Sequence, residues 1–331
     1  MTGTAGLEKL ADDLLLRIRS RHGTAVSVRS LARRFRTDES SVTSALHLVR
    51  DWGYRLRLSR SNVTFVSAPD ILSATEISYG LKTKKFARSI FAYQSVRSTN
   101  DLAARAATDG APQGTVIVAE EQTQGRGRFG RVWHSPPGSG VYMSIILRPD
   151  FQPSRAPAVS IMTALALAET LDVMFPGKVQ IKWPNDVLVS RKKVAGILTE
   201  LTAEQDRIEY LIVGVGINVN QKTGDFPEEL RGTATSLRRV TGRKQRRVEL
   251  LQRFLVNLEK EYHRYQRSFL KPSRERLRRY SSLIGHDINL AVGRRITSGW
   301  AVDIDDNGCI VIETASGLKA ISSGEVTIVK K

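Results

Sequence analysis

The stretch Gln122-Thr123-Gln124-Gly125-Arg126-Gly127-Arg128-Phe129-Gly130-Arg131-Val132-Trp133 carries most of the information in this 331-residue chain. Its glycines let the backbone take positive φ and come close to a ligand. Its arginines supply fork-shaped donors that fit phosphate and carboxylate oxygens. The glycine spacing imitates a dinucleotide fingerprint, but that motif joins a strand to a helix, whereas this loop runs into Trp133 and a further strand. A mixed α and β arrangement follows, with a loop suited to a polyphosphate that is being turned into an acyl phosphate. A flexible basic loop or an RGG-like nucleic-acid contact has the same residue types, and the loop alone does not choose between them.

Downstream stands Lys182-Trp183-Pro184-Asn185-Asp186, followed by Arg191-Lys192-Lys193-Val194-Ala195-Gly196-Ile197-Leu198. Pro184 turns the chain after a strand, which leaves Asn185 and Asp186 at a strand end, where sites are often built. Val194–Leu198 reads as an apolar hairpin strand with Lys193 at its start. A lysine fixed there can neutralise charge as a phosphorus centre becomes pentacoordinate, although Arg191–Lys193 also reads as a solvated hairpin tip. Upstream, Ser98-Thr99-Asn100 precedes a helical stretch and can act as an N-cap. Gly214-Val215-Gly216-Ile217-Asn218 closes an apolar strand.

Around these motifs the periodicity predicts helices over Asn100–Thr108, Ala156–Met174, Arg247–Phe269 and Ser273–Tyr280. It predicts strands over Thr115–Ala119, Val141–Leu147, Val179–Trp183, Asp186–Val189, Val194–Glu200 and Ile208–Asn218. After Gly285, short alternating runs at Ile288–Val292, Ser298–Ile304, Cys309–Glu313 and Leu318–Ile321 suggest a small closed or partly open barrel. Before Ser67 the pattern is different. Leu7, Leu10, Leu14, Leu15 and Ile18 share one helical face, Val28–Phe35 makes a second helix, and Asp38 or Ser40 can cap a third that ends near Trp52. Tyr54–Leu58 and Val63–Val66 then flank a turn, so a winged helix-turn-helix is expected. Pro69 to Arg88 looks like a linker.

Composition narrows the class. The formal charge of +18 invites nucleic acid, an anionic cofactor or an acidic protein. Cys309 is the only cysteine, which excludes an intrachain disulfide and a cysteine metal cluster. The N-terminus mixes acids and bases without an apolar core, and no run reaches the roughly 18 apolar residues of a membrane helix. A cytoplasmic enzyme or regulator is expected, with no membrane partner.

In this order, Ser98–Asn100, Gln122–Trp133, Lys182–Asp186, Lys193–Leu198 and Gly214–Asn218 resemble the catalytic domain of biotin protein ligases. The combination of GRGRxGR…W with KWPND and KxAGIL is specific, and the resemblance covers roughly Ser89–Tyr280. The ends resemble the family too: Arg50-Asp51-Trp52-Gly53 lies in a segment like the winged helix of bifunctional biotin operon repressors, and the C-terminus is similar to an SH3-like β-barrel. The expected fold is therefore α+β. It comprises a winged helix-turn-helix (1–68), a linker (69–88), a mixed α/β catalytic domain (89–283) and an SH3-like barrel (284–331).

The resemblance implies an AMP-forming ligase that activates biotin with ATP to biotinyl-5′-AMP and joins it to a lysine of a biotin carboxyl carrier protein. Ser98, Thr99, Asn100 and Gln122 would line the biotin pocket, and Arg126, Gly127 and Arg128 would lie over biotin and the adenylate. Lys193, with Arg128 the catalytic candidate, would meet the biotin carboxylate and the α-phosphate. Asp186 and Asn218 would help position ATP, Mg²⁺ or the incoming lysine, with no fixed protein-ligated metal site. Trp133 would pack under the loop. A homodimer and operator DNA are the further partners that repressor-type members imply.

Two rivals remain beside this reading. Lipoate or octanoate ligases share the domain type but lack the joined GRGRFGR and KWPND motifs. A DNA-binding repressor could be the main role, yet the third helix begins Asp38-Glu39-Ser40-Ser41, whose carboxylates repel phosphate. Arg29, Arg33, Arg34, Arg36, Arg55, Arg57 and Arg60 offer phosphate anchors without obvious base readout. A structural remnant or a lid on the catalytic domain is the alternative for this segment.

Overall fold

The computed structural model describes residues 4–329. The outermost residues of the expected first and last domains, 1–3 and 330–331, lie outside them. The chain divides into two compact units between Asp70 and Ile71.

In the first unit α1 (Thr4–Arg19), α2 (Val28–Phe35) and α3 (Glu39–Asp51) surround one apolar cluster. It includes Leu14, Ile18, Leu31, Val42, Leu46, Val49 and Phe65. Of the two candidates for capping the third helix it is Asp38 that does so, accepting from the Ser41 amide at 2.8 Å, and Ser27, not anticipated, caps α2 by accepting from the Ser30 amide. A short strand that periodicity could not register, β1 (Val26–Ser27), joins β2 (Arg55–Leu58) and β3 (Asn62–Ser67) in the order β1-β3-β2.

The second unit begins with a correction. Residues 71–88 were expected to form a linker, but they are part of the core. Leu72, Ile77 and Phe86 are buried around α4 (Ala74–Ser78). The Glu259 carboxylate accepts from the backbone amides of Lys84, Lys85 and Phe86, and the Leu72 amide donates to Glu120 at 2.7 Å. Glu120 is itself held by a buried ion pair with Arg247 at 2.6 Å. The apolar residues in this stretch are too widely spaced to show a period, and the carboxylates that hold its backbone lie 48 and 175 residues away.

The central sheet gathers β4 (Ile90–Val96), β5 (Val116–Gln122), β6 (Gly140–Leu147), β7 (Val179–Lys182), β8 (Asp186–Val189), β9 (Lys192–Glu204) and β10 (Arg207–Asn218). Their order is β4-β5-β6-β10-β9-β8-β7, antiparallel except for the β4–β5 pair. Strand β4 was not predicted, because an edge strand exposed along its length has no inward and outward alternation to read. Helix α5 (Thr99–Thr108) covers one face with Ala103 and Ala107 over Ile117, Ile146 and Ile212. On the other face α6 (Pro157–Asp172) is apolar nearly all round, as a helix between two layers must be. The unit continues with α7 (Leu237–Thr241), α8 (Arg247–Ser268) and α9 (Arg274–Tyr280), and α8 and α9 pack on α6.

At the C-terminus β11 (Asp287–Val292), β12 (Arg295–Ile304), β13 (Ile310–Thr314), β14 (Gly317–Ile321) and β15 (Glu325–Ile328) form an antiparallel sheet in the order β14-β13-β12-β11-β15. The closed form of the expected barrel is absent, since β14 and β15 are edges that do not pair. The physical reason is that Ile288, Leu290, Ala301, Ile304, Ile310 and Ile312 bury themselves in the same core as the central sheet. This sheet is therefore part of the second unit, and it is tied down by charge as well. Asp303 accepts from Arg278 Nε at 2.8 Å and Nη2 at 2.6 Å, and it also pairs with Arg274.

Burial alone would raise the Asp303 pKa, but the Arg278 and Arg274 guanidiniums outweigh it and hold the carboxyl at about 2. A carboxylate depressed on folding stabilises above its unfolded pKa, and the gain disappears as pH falls through the folded value. Asp303→Asn should therefore lower unfolding free energy by about 2 kcal/mol at neutral pH. In denaturant titrations the gap from wild type should narrow between pH 4 and pH 2. A gap that does not depend on pH would assign the loss to packing.

Candidate active site

The site is built on a strip of sheet from which side chains are missing. Strand register places Gly214 opposite Ser144 on one side and Leu198 on the other, Gly216 opposite Gly196, and Gly196 opposite Asp186. Because side chains alternate, these positions share one face, the face that α5 partly covers. The glycines are sterically required. A Cβ on Gly214 would lie 2.2 Å from Asn100 Oδ1, and one on Gly216 would lie 2.3 Å from Trp133 Nε1. A Cβ on Gly196 would lie 3.0 Å from the same indole. Trp133 thus lies across two glycines, as the packing role predicted for it requires, and its indole N–H is buried without an acceptor among the described residues.

At the start of α5, Ser98 occupies the N-cap position, but its hydroxyl makes no cap bond. Gln122, at the end of β5, takes over. Its Oε1 accepts from the Thr99 amide at 2.9 Å and the Thr99 hydroxyl at 3.0 Å, while Nε2 donates to Ser135 Oγ. Ser144 Oγ lies 2.8 Å from Thr99 Oγ1 and 2.6 Å from Asn100 Oδ1, so its single proton serves one of them at a time. Asn100 Nδ2 donates to Glu200 Oε2 at 2.7 Å. Ser98, Thr99 and Asn100 are buried polar residues, and all but Ser98 stand in this one network.

The arginine loop folds as a tight hairpin. Trp133 N donates to Gly125 O, Gly127 N to Arg131 O, and Arg131 N to Arg128 O. A side chain at Gly125 would meet the Trp133 carbonyl at 2.5 Å, whereas Gly127 has room for a Cβ. Arg126 forms a two-point pair with Asp101 at 3.0 and 2.6 Å and reaches Glu200 at 3.4 Å. The hydrogen bonds to Arg126 hold the Asp101 carboxyl below the usual range. Arg128 is half-buried and donates to Asn185 Oδ1 at 3.2 Å and Gly324 O at 3.4 Å. Desolvation pushes its pKa down against the pull of Asp186 and Glu325. Arg131 pairs with Glu325 of the C-terminal sheet.

Lys193 and Asp186 meet across the hairpin. Lys182 pairs with Asp186 at the ends of β7 and β8, so the turn comprises Trp183, Pro184 and Asn185. Trp183 is buried and donates to Gly308 O at 2.8 Å, which fixes the turn to the C-terminal sheet. A bulge in the β8–β9 ladder leaves Val194 without a partner, and such bulges re-aim side chains. Lys193 Nζ lies 2.7 Å from Asp186 Oδ1 and 5.4 Å from the Trp133 ring centre. Its backbone is gripped on the far side, donating to Thr233 O and accepting from Thr235 N. Lys192, by contrast, is exposed.

The expected residues therefore fall into three groups. Ser98, Thr99, Asn100 and Gln122 form the first, Arg126, Gly127 and Arg128 the loop, and Lys193 with Asp186 the third. Asn218 stands apart from them, buried at the end of β10 and accepting from Gln221 Nε2 at 3.3 Å. Sequence reasoning missed Asp101, Ser144, Asn185 and Glu200 as their partners. A polar residue inside an apolar strand, as Ser144 is in β6, was the available signal.

Residues 92–218 match the biotin/lipoate A/B protein ligase family, and residues 283–329 match the biotin protein ligase C-terminal domain. The chain is 37% identical over 290 residues to the bifunctional ligase/repressor BirA of Bacillus subtilis, covering 87% of this chain and 89% of that protein. It is 32% identical to the biotin–[acetyl-CoA-carboxylase] ligase of Mycobacterium tuberculosis, over 69% of this chain and 85% of the relative. Among solved structures, the biotin protein ligase from Aquifex aeolicus in complex with biotin and ATP superposes with a TM-score of 0.63 at 32% identity. That alignment covers 74% of this chain and 100% of the other. With the glycine strip, the arginine loop and the lysine hairpin assembled on one face of such a fold, the chain belongs to the biotin protein ligase family.

Proposed function

We propose that this ligase runs both half-reactions over the glycine strip, with the residue roles set out below. The observation that carries the reading is the convergence of Arg126, Arg128 and Lys193 with the Asn100 network around a face cleared of side chains. Thr99, Asn100 and Gln122 offer hydrogen bonds suited to a ureido ring, and a ligand lacking those groups would leave buried polar atoms unpaired. A carboxylate oxygen of biotin attacks the ATP α-phosphorus, and the bond to pyrophosphate breaks. Mg²⁺ entering with ATP would supply positive charge toward the pyrophosphate oxygens. Lys193, held in place by Asp186 and by its backbone bonds, supplies positive charge at the α-phosphate, and Arg128 supplies it from the loop.

In the second half-reaction the ε-amine of a carrier lysine attacks the acyl carbon, the carbon–oxygen bond breaks, and AMP leaves. The carrier would be the biotin carboxyl carrier protein of a carboxylase, as the name of the mycobacterial relative suggests. A lipoate substrate is disfavoured by the match to the biotin-specific C-terminal domain. None of the described helices is long and apolar enough to cross a membrane.

The first unit supports a second reading, that of a DNA-binding winged helix. The outer side of α3 presents Ser40, Thr43, Ser44, His47 and Arg50, with Arg33 and Arg34 exposed on α2. Of the two acids expected to repel phosphate, Asp38 accepts hydrogen bonds from Ser40 and Ser41, which lower its pKa and keep it charged, and Glu39 is exposed. Similarity to a bifunctional ligase/repressor favours this reading, and a homodimer formed with the adenylate would suit a two-fold operator.

Two measurements test these readings. Lys193→Ala should lower pyrophosphate release with ATP, Mg²⁺ and biotin on the order of a hundredfold, while Lys192→Ala stays within about twofold. The opposite ranking would place the wrong lysine at the phosphate. For DNA, binding of duplex by the full chain in the presence of biotin and ATP should weaken steeply with salt. Replacing Arg33 and Arg34 with alanine should flatten that slope, whereas no retention of duplex at low salt would remove the DNA role.

A further inference from the structure

We propose that Asp101 and Glu200 are positioning residues of the ligase reaction. They hold Arg126, and with it the Gly125–Arg131 loop, over the pocket that Asn100 lines. The inference rests on the pocket assignment proposed above. One guanidinium joins three elements here: Asp101 stands in the first turn of α5, Glu200 on β9 and Arg126 in the loop. The Arg126–Asp101 pair is two-pronged, at 3.0 and 2.6 Å, which fixes orientation as well as distance. Glu200 divides its two oxygens, taking Arg126 on Oε1 at 3.4 Å and the Asn100 amide on Oε2 at 2.7 Å.

That division links the pocket to the loop. Asn100 Oδ1 is turned toward Ser144, so its amide nitrogen faces Glu200 and keeps one further N–H for a ligand. A ligand that moves the Asn100 amide moves the carboxylate that Arg126 shares. All three charged side chains are about half exposed, with Arg126 at 40%, Asp101 at 48% and Glu200 at 41%. Pairs this exposed add little to global stability. Their effect falls on the loop, which covers the acyl adenylate before the carrier lysine arrives.

The test uses full-length wild type, Asp101→Asn, Asp101→Glu and Glu200→Gln, each with ATP, Mg²⁺ and biotin but no carrier. Hydrogen exchange over residues 123–133 reports the loop, and filtration reports biotinyl-adenylate released per pyrophosphate formed. Asp101→Asn should speed loop exchange and raise released adenylate on the order of fivefold, with an unchanged melting temperature, and Asp101→Glu should restore much of both. Glu200→Gln should loosen the loop and also raise the KM for biotin, since Asn100 loses its charged acceptor. Wild-type exchange and release in both Asp101→Asn and Glu200→Gln would overturn the proposal. So would faster exchange spread evenly through α5 and β9, which would make the carboxylates part of the fold alone. If biotin does not slow exchange at residues 98–100 in wild type, the pocket assignment itself fails, whatever the variants do.

Discussion

Close approach to a bare backbone is the constraint on which this molecule depends. At Gly196, Gly214 and Gly216 the sheet presents no side chain on one face, so Asn100 and Trp133 can rest on the strands themselves. Sheets ordinarily cover such a surface with β-branched residues, and glycine weakens a strand by leaving nothing to pack. The cost is offset by the neighbours. The opposite face carries Val213, Val215 and Ile217 in β10 with Val194, Ala195 and Ile197 in β9, all in the main core. One face therefore supplies stability while the other is kept open for chemistry.

Charge is arranged around that strip so that three of its cations already have an acidic partner, while Arg128 donates to the neutral oxygens of Asn185 and Gly324. Arg126 has Asp101 and Glu200, Lys193 has Asp186, and Arg131 has Glu325. Side chains already ordered by these pairs lose little further freedom when a phosphate or carboxylate arrives, which lowers the entropy cost of binding. The C-terminal sheet takes part through Gly308 under Trp183, Gly324 beside Arg128 and Glu325 on Arg131. That sheet and the central sheet share one core, so the loop and the lysine hairpin are referenced to the same rigid body.

Much of this was legible in the chain. The apolar length of α6, the period of α8, the apolar runs of β6, β9 and β10 and the cap at Asp38 are local signals, and local signals survive in a sequence. Arg128 and Lys193 were legible as candidates because their motifs combine residue type with backbone demand. The rest depends on contacts distant in sequence. Residues 71–88 read as a linker because their partners Glu120 and Glu259 lie well along the chain. Asp101 looked like an ordinary helix-start acid, and Glu200 like a polar residue at a strand end, until the fold placed Arg126 between them. The closed barrel failed for a similar reason, since a sheet whose apolar face is covered by helices need not cover itself.

The central claim is that the stripped face is where biotin binds, and calorimetric titration of biotin into Gly214→Ala tests it most directly. A methyl there would overlap Asn100 Oδ1 and force it from Ser144 and Glu200, whereas Gly224→Ala, which meets nothing within 4 Å, serves as the control. The account predicts that Gly214→Ala loses affinity on the order of ten- to a hundredfold, with a cooperative unfolding transition retained and the control unchanged. Wild-type affinity in Gly214→Ala would contradict it.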